Sequence, residues 1–330
     1  MSTDKSVSTG SDKSVSYIVE TPTSISIVVG SVLVLWQTLT GNLPPSVQLT
    51  FFALFIFLTG IPHGAIDHLV EKETAERQQK SFNLPLFLLK YVLTMLFYAL
   101  MWYLLPSVSL LFFLLISAWH FGETDIENAP PTPFWNVTRF VFGCFVLLWI
   151  LLFHAEETTP ILARISQNSG SVMPVWDWLV GFKMPLLMGF GLFSLAFFYF
   201  SYQKKPIDID KMRFFRLGCI LILTYFLPLL PAFGLYFGGW HALCSFKNIH
   251  DYLLENDHDL RHKKPITSIL NVWTKTLFFT FVAVAFLGFA TWYWLHYLGS
   301  WDPLPLLFIF LSLITLPHLE VMHKMNSGRV

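Results

Sequence analysis

Long uninterrupted runs of apolar residues constrain the fold of this chain more than any other feature of its sequence. A helix needs about 20 apolar residues to cross the roughly 30 Å hydrocarbon core of a bilayer, and runs of this kind recur from residue 25 onward. Of the 330 residues, 54% are hydrophobic and only 13% are charged, whereas an average soluble domain carries about 25% charged residues. We therefore expect an all-α, polytopic integral membrane protein built as a helical bundle.

The apolar runs predict about ten transmembrane helices, with eight or nine as the alternatives. They cover residues 25–41, 47–69, 84–105, 107–122, 135–154, 181–201, 214–231, 233–254, 269–297 and 304–323. Lys and Arg concentrate in alternate loops, and because basic residues favour the cytoplasmic side, both termini are predicted to be cytoplasmic in a multi-pass protein of the plasma membrane. Residues 1–24 are polar and lack the apolar core of a signal peptide. They predict a disordered cytoplasmic tail before a single transmembrane domain at 25–330.

Charge and cysteine usage indicate which partners to expect. The formal net charge is zero and no basic block runs along the chain, so nothing favours a nucleic-acid partner. The three cysteines lie in apolar runs without C-x-x-C spacing, which argues against an Fe–S cluster. The expected partner is a lipid-soluble molecule.

Histidines lie inside four of the predicted spans. His63, His120 and His318 fall at similar depth in the cytoplasmic half of the membrane, and His241 lies nearer the midplane. An ionisable residue inside a membrane is costly unless it meets a partner or a cavity. A single buried histidine usually hydrogen-bonds a neighbouring helix, but four at comparable depth favour a shared metal ion, because neutral imidazole is the commonest metal ligand.

Carboxylates accompany these histidines. Asp67 follows His63 by four residues and so lies on the same face of a regular helix. Glu123 and Asp125 follow His120 within two turns. A metal-ligating histidine usually donates its other N–H to a carboxylate or a carbonyl group. We interpret Asp67, Glu123 and Asp125 as groups that orient the ligands, and we expect Asp67 to pair with His63.

Four motifs carry a resemblance to a known family. They are "PHGAIDH" (62–68), "WHFGETD" (119–125), "YFGGWH" (236–241) and "LPH" (316–318). In this order they resemble the Brp/Blh-type β-carotene 15,15'-dioxygenases, which are multi-spanning membrane enzymes. The resemblance implies an oxidoreductase that uses Fe²⁺ and O₂ to split β-carotene at its central double bond into two molecules of all-trans-retinal. Whether retinal then passes to a rhodopsin stays open at this point. The resemblance also implies His63, His120 and His241 as the catalytic iron ligands, and depth in the membrane favours His318 as the fourth.

The sequence departs from the family pattern one helical turn after His241. The family has a second histidine there, whereas this chain has Ser245, and serine is a poor iron ligand. The next histidine, His250, lies about 180° round a regular helix from His241. The departure keeps open another membrane metal-dependent oxidoreductase acting on a lipid or carotenoid, a non-catalytic binder of carotenoid or retinal, and a proton-coupled transporter. Di-iron desaturases are disfavoured, because their dense H-x-x-H-H boxes do not occur in this sequence.

Overall fold

Helices and the turns between them make up the part of the chain that the computed structural model describes, which comprises residues 10–166, 171–255, 265–297 and 303–327. In chain order the helices are α1 (Gly10–Thr40), α2 (Pro45–Phe55), α3 (Ile61–Ala65), α4 (Asp67–Arg77), α5 (Leu84–Leu104), α6 (Pro106–Asp125), α7 (Pro133–Phe153), α8 (Ala155–Ile165), α9 (Val172–Gly181), α10 (Lys183–Lys204), α11 (Lys211–Phe226), α12 (Leu229–Tyr236), α13 (Leu243–Leu254), α14 (Pro265–Tyr297) and α15 (Pro303–Ser327). The first π turn, Ile56–Gly60, joins α2 to α3, and the second π turn, Phe237–Ala242, joins α12 to α13.

Eight helical segments within these ranges are long and apolar enough to cross a membrane. They are Pro22–Thr40, Pro45–Arg77, Leu84–Leu104, Pro106–Asp125, Pro133–Phe153, Lys183–Lys204, Ile266–Tyr297 and Leu304–Asn326. The structure thus confirms the all-α polytopic bundle. The sequence favours ten transmembrane helices, and the two that are not among these eight segments are the ones predicted at 214–231 and 233–254. The helix α11 has only 16 residues, and the segment after it interrupts its apolar run with polar residues such as His241 and Ser245.

The N-terminal segment contains more helix than the sequence suggests. Helix α1 begins at Gly10, inside the polar stretch that predicts a tail over residues 1–24. Residues 1–9 lie outside the described part of the chain, so the tail stays a prediction there. The single domain at 25–330 likewise stays a prediction.

Side-chain caps fix where several helices begin. At the start of α5, the Asn83 carboxamide oxygen accepts a hydrogen bond from the Leu86 backbone N–H at 3.0 Å. At the start of α11, the Asp210 carboxylate accepts from the Arg213 backbone N–H, also at 3.0 Å. Such caps satisfy N–H groups that a helix leaves unpaired at its first turn. They therefore help to define the depth at which each helix presents its side chains.

Two glycines let α6 and α7 touch backbone to backbone. A Cβ atom added to Gly122 would lie 1.8 Å from the carbonyl oxygen of Arg139, and one added to Gly143 would lie 1.8 Å from that of Ala118. Small residues that allow such close approach are typical of helix packing in membranes, where apolar side chains gain little by leaving lipid for protein. Because His120 lies between Ala118 and Gly122, this contact sets the position of a candidate ligand.

The two π turns pack against each other. The Thr59 hydroxyl in the first donates to the carbonyl oxygen of Gly238 in the second at 2.9 Å. A Cβ atom at Gly238 would lie only 2.6 Å from the Cβ atom of Phe55, so the close approach requires glycine. The first π turn precedes His63 by three residues, and the second contains His241. The contact therefore holds these two histidines in a fixed relation.

The glycine contact between α6 and α7 yields a stability prediction. Gly143→Ala should lower the free energy of unfolding by about 1–3 kcal/mol, the usual cost of overpacking, because the new methyl group overlaps the Ala118 carbonyl. The matched control is Gly189→Ala on α10, where an added Cβ meets no atom within 4 Å. That substitution should raise the free energy of unfolding by about 0.5–1 kcal/mol, since alanine has the higher helix propensity. Thermal unfolding in detergent measures both, and equal effects would contradict the proposed packing.

Candidate metal centre

His63 is held by the backbone of the first π turn. Its Nδ1 atom lies within hydrogen-bond distance of the Gly60 carbonyl oxygen, which accepts only if Nδ1 carries the proton. The Nε2 atom of this tautomer then has a free lone pair, the form that binds a metal. His63 is buried, and Pro62 directly before it lacks an N–H group, which suits the irregular hydrogen bonding of a π turn.

His241 lies in the second π turn between two phenylalanine rings. The Phe237 ring is nearly parallel to the imidazole at 5.7 Å between centroids, and the Phe121 ring lies 4.6 Å away. Both ring nitrogens of His241 are buried and, within the described residues, neither has a hydrogen-bond partner. Turns of π helix occur frequently at functional sites, and this one presents an imidazole with an unused lone pair.

His120 on α6 and His318 on α15 complete the group. Both His120 nitrogens are buried without a hydrogen-bond partner in the described part of the chain, as is Nε2 of His318. The Nδ1 atom of His318 lies 2.7 Å from Oδ1 of Asp67. Because the carboxylate accepts this proton, Nε2 of His318 carries the free lone pair.

Together these four side chains form what we call the histidine cluster: His63, His120, His241 and His318. One ligand atom each from His63, His120 and His318 lies within 4.8 Å of the others, so that the three are spaced to hold one metal ion. The His241 ring is 4.7 Å from that of His120 and 5.6 Å from that of His63, between centroids. The structure therefore brings all four candidate ligands together, and the ligand atoms of His63, His120 and His318 lie close enough to one another to share one ion.

The acidic residues are arranged differently from the sequence interpretation. Asp67 contacts His318 and not the expected His63, which instead uses the Gly60 carbonyl. Asp125 is buried and accepts hydrogen bonds at 2.8 Å from the Tyr236 hydroxyl and at 2.8 Å from the Trp240 indole. Asp125 therefore holds Trp240, the residue directly before His241, in place through a hydrogen bond.

The remaining polar residues of the motifs have separate environments. Glu123 has a buried Oε2 atom without a hydrogen-bond partner among the described residues, so its orienting role stays a prediction. Ser245 is fully buried, one turn beyond the second π turn, and its hydroxyl also lacks a partner in the described ranges. His250 instead lies 3.0 Å from the Ser268 hydroxyl, away from the histidine cluster.

The donor set fits a divalent transition metal. Five ring nitrogens of the cluster are buried without hydrogen bonds in the described structure, and each unsatisfied buried polar atom costs about 1–3 kcal/mol. A cation bound to one nitrogen of each of the three rings would relieve this cost at three of the five atoms. Imidazole suits iron, zinc and copper, and the Asp67 carboxylate beside His318 supplies a negative charge next to the site, as is usual for metal-bound histidine.

A large apolar cavity adjoins the cluster. Its volume is about 590 Å³, within the range of small-molecule sites. His63, His120 and His318 form part of its wall, and most other lining residues are Phe, Leu, Ile and Val, contributed by α5, α6, α7, α8, α12, α14, α15 and the segments around them. The site thus combines a nitrogen-rich centre with a chamber suited to a hydrocarbon.

Sequence reasoning missed two groups beside the cluster, one in contact with His63 and one in contact with Asp67. The Gly60 carbonyl orients His63, and the Tyr91 hydroxyl on α5 lies 3.1 Å from Oδ2 of Asp67. No sequence signal marks a backbone carbonyl of this kind. Tyr91 carried a weak signal, as a hydroxyl inside an apolar span, but tyrosine is common in membrane helices.

The histidine cluster yields a metal-binding prediction. Loss of the hydrogen-bond partner of a metal ligand typically weakens metal affinity by about 10- to 100-fold. His120→Ala and His241→Ala each remove a candidate ligand itself, so each should weaken the affinity for a divalent metal by more than this. The control is His296→Ala, at the exposed end of α14. Titration of metal-free purified protein measures the affinities. If the His241 variant retained the wild-type affinity while the His120 variant lost it, His241 would not be a ligand.

Comparison with known proteins identifies the family. A family model described as beta-carotene 15,15'-dioxygenase matches residues 54–326. A beta-carotene 15,15'-dioxygenase of the uncultured marine bacterium 66A03 is 30% identical over 194 residues, which is 59% of this chain and 66% of that protein. The chain thus spans just under two thirds of that relative's length, and no solved structure matches it. Since the family model covers most of the chain and includes every histidine of the cluster, the chain belongs to the beta-carotene 15,15'-dioxygenase family.

Proposed function

We propose that this protein uses Fe²⁺ and O₂ to cleave β-carotene at its 15,15' double bond into two molecules of all-trans-retinal. The observation that carries the proposal is the meeting of the buried histidine cluster with an apolar cavity of about 590 Å³. Membership of the beta-carotene 15,15'-dioxygenase family supports it. The substrate is a rigid hydrocarbon that dissolves in the bilayer, and a membrane-embedded site reaches it without passing through water.

The iron would be held by the histidine cluster, that is by His63, His120, His241 and His318. In His63 and His318 the ligand atom would be Nε2. Bound there, iron would supply the redox chemistry that activates O₂. Neutral imidazoles leave the positive charge of the ion largely uncompensated, and the Asp67 carboxylate balances part of it through His318. The Gly60 carbonyl and Asp67 fix the rings of His63 and His318 by accepting their Nδ1 protons, so that these two ligands are oriented before the metal binds.

The cavity wall would bind the polyene by burying apolar surface. Along α5 its lining runs from Phe87 to Trp102, a rise of about 22 Å. Tyr91 contacts the carboxylate beside His318, so the lining extends about 16 Å from the level of the cluster toward Trp102 and about 6 Å toward Phe87. The part of the cavity between Tyr91 and Trp102, which we call the longer arm, accommodates one half of an extended carotenoid. Central cleavage requires the other half to extend beyond Phe87, and the length of the longer arm supports a bond near the middle of the molecule as the one next to the cluster.

Entry and exit would take place through the bilayer. Val92 and Leu96 on α5 line the cavity, yet they are 49% and 60% exposed on the outer surface of the bundle. The cavity wall is therefore thin where it faces lipid. Retinal is also lipid-soluble, so any transfer of it to a rhodopsin would occur from the membrane.

We also propose that both termini face the cytoplasm of a plasma-membrane protein. Lys324 near the end of α15 forms an ion pair with Glu71 on α4 at 3.1 Å. The end of α15 and the basic residues Lys72 and Arg77 of α4 therefore lie at a similar level of the bundle. Basic residues on one side are the pattern of cytoplasmic loops.

Ser245 favours a second candidate function, in which the protein binds a carotenoid or retinal without cleaving it. An oxidoreductase that acts on another substrate is the variant of this candidate that keeps catalysis. Ser245 stands where the family pattern has a histidine, and its buried hydroxyl has no partner among the described residues. A ligand set poorer by one imidazole binds iron less tightly. In this second candidate function the same cavity would bind the ligand, but the protein would form no retinal from β-carotene.

Expression in bacteria that accumulate β-carotene tests the proposed reaction. Wild-type protein should convert the pigment to retinal, and His63→Ala at equal abundance should not, because the metal would lack a ligand. Chromatography of extracted pigments measures both products and substrate. Retinal as the sole cleavage product supports central cleavage, and longer apocarotenals contradict it. Unchanged pigment in both strains, with carotenoid bound to the purified protein, would favour the binder.

The cavity arm yields a prediction about substrate binding. Ile161→Trp on α8 places a larger ring in the lining and should raise KM for β-carotene by about tenfold or more, because overfilling a packed site costs about 1–3 kcal/mol. Metal affinity should not change. Glu156→Trp, at an exposed position of the same helix, is the matched control. An unchanged KM in the Ile161 variant would show that the substrate does not occupy this arm.

A further inference from the structure

Tyr91 turns inward from a helix whose neighbouring residues face lipid. Val92 and Leu93 beside it are both exposed on the surface of the bundle, whereas the Tyr91 side chain lines the cavity and reaches Asp67. Its hydroxyl lies 3.1 Å from Oδ2 of Asp67 and 3.4 Å from the Ile314 carbonyl oxygen. A hydroxyl has one proton to donate, and the charged carboxylate is both the nearer and the stronger acceptor.

Asp67 links Tyr91 to a candidate metal ligand. The carboxylate is only 2% exposed. Oδ1 lies 2.7 Å from Nδ1 of His318, and Oδ2 receives the Tyr91 proton. Since both oxygens belong to one rigid plane, the donor at Oδ2 fixes where Oδ1 meets the imidazole. The rotation of the His318 ring, and with it the direction of its Nε2 lone pair, follows from that plane.

The hydrogen bonds from Tyr91 to Asp67 and from His318 to Asp67 join three separate helices: α5, α4 and α15. A second tyrosine on α5, Tyr98, also hydrogen-bonds a neighbouring helix, but at a position away from Asp67 and the cluster. The Tyr98 hydroxyl, two turns along, donates to the Ser109 carbonyl oxygen at 2.8 Å, and Tyr98 is buried. A purely structural hydroxyl on this helix is therefore available for comparison.

We propose that Tyr91 is a positioning residue for the metal centre, acting through Asp67 to hold His318 in the orientation that binds iron. The inference rests on the proposed function for the identity of the metal, but the contacts that carry it do not depend on the substrate. Outer partners of metal-ligating histidines typically change metal affinity by about 10- to 100-fold. Tyr91 stands one step further from the metal than Asp67, so we expect an effect near the lower end of that range.

The first test compares Tyr91→Phe with Tyr98→Phe in metal-free, full-length protein purified in detergent. Co²⁺ serves as the probe, because its visible absorption reports ligand geometry. We expect the dissociation constant of Tyr91→Phe to rise about tenfold, with a change in the Co²⁺ absorption spectrum. Tyr98→Phe should keep the wild-type values. Equal Co²⁺ affinities and spectra for Tyr91→Phe and wild type would overturn the proposal.

A double-mutant cycle separates positioning from a general structural role. In an Asp67→Asn background, Tyr91→Phe should change Co²⁺ affinity by less than about twofold, because the route to His318 is already altered and coupled sites are not additive. A full tenfold effect in that background would show that Tyr91 acts independently of Asp67. If Tyr91→Phe does not fold, Tyr91→Gln and Tyr91→Met take its place, because the two side chains are similar in size and only glutamine can donate to Asp67. A higher Co²⁺ affinity in the glutamine variant supports the proposal, and equal affinities overturn it.

Failure of this inference is distinguishable from failure of the proposed function. If wild-type protein binds no Co²⁺ or Fe²⁺, both are overturned. If wild-type protein binds metal and makes retinal while Tyr91→Phe matches it in affinity and spectrum, only the role of Tyr91 is lost. Saturating Fe²⁺ should also restore most of the cleavage activity of Tyr91→Phe, and activity that stays low at full iron occupancy would contradict a role through metal retention.

Discussion

The need to satisfy polar nitrogens inside an apolar bundle governs the rest of this structure. Five buried imidazole nitrogens of the histidine cluster lack hydrogen bonds within the described residues, and at about 1–3 kcal/mol each their combined cost approaches the 5–15 kcal/mol stability of a typical protein. A divalent cation bound to one nitrogen of each ring would relieve the cost at three of these five atoms. Folding and metal binding would then be coupled.

Close backbone contacts, more than apolar side chains, bring the four histidines to one place. Lipid is as apolar as leucine, so helices in a membrane associate through packing and hydrogen bonds. Gly122 and Gly143 bring α6 and α7 into backbone contact around His120. The Thr59 hydroxyl and Gly238 do the same for the two π turns. The aromatic and aliphatic residues are left to line the cavity and face the bilayer.

Composition and motif position predicted the helical membrane fold, and the four histidines that the sequence singles out do meet. The pairing of Asp67 with His63 was wrong, because the rule that residues four apart share a face requires an unbroken helix. Here α3 ends at Ala65 and α4 begins at Asp67, with Ile66 at ψ −7° between them. The π turns left no readable pattern, and Tyr91 looked like any tyrosine in an apolar span. Local backbone irregularity is what the sequence did not reveal.

The π turns also bear on how this chain tolerates insertions and deletions. A π turn carries one residue more than the α-helical path it replaces. Losing a single residue between Ile56 and Gly60 would restore regular helix there and leave His63 close to its present rotation, although the contact of Thr59 with Gly238 would change. The same loss in regular helix just before or after the π turn would rotate His63 by about 100° and move it about 1.5 Å along the axis, so that its imidazole would point away from the other three. In this protein the two π turns are therefore the places where a change in chain length disturbs the cluster least.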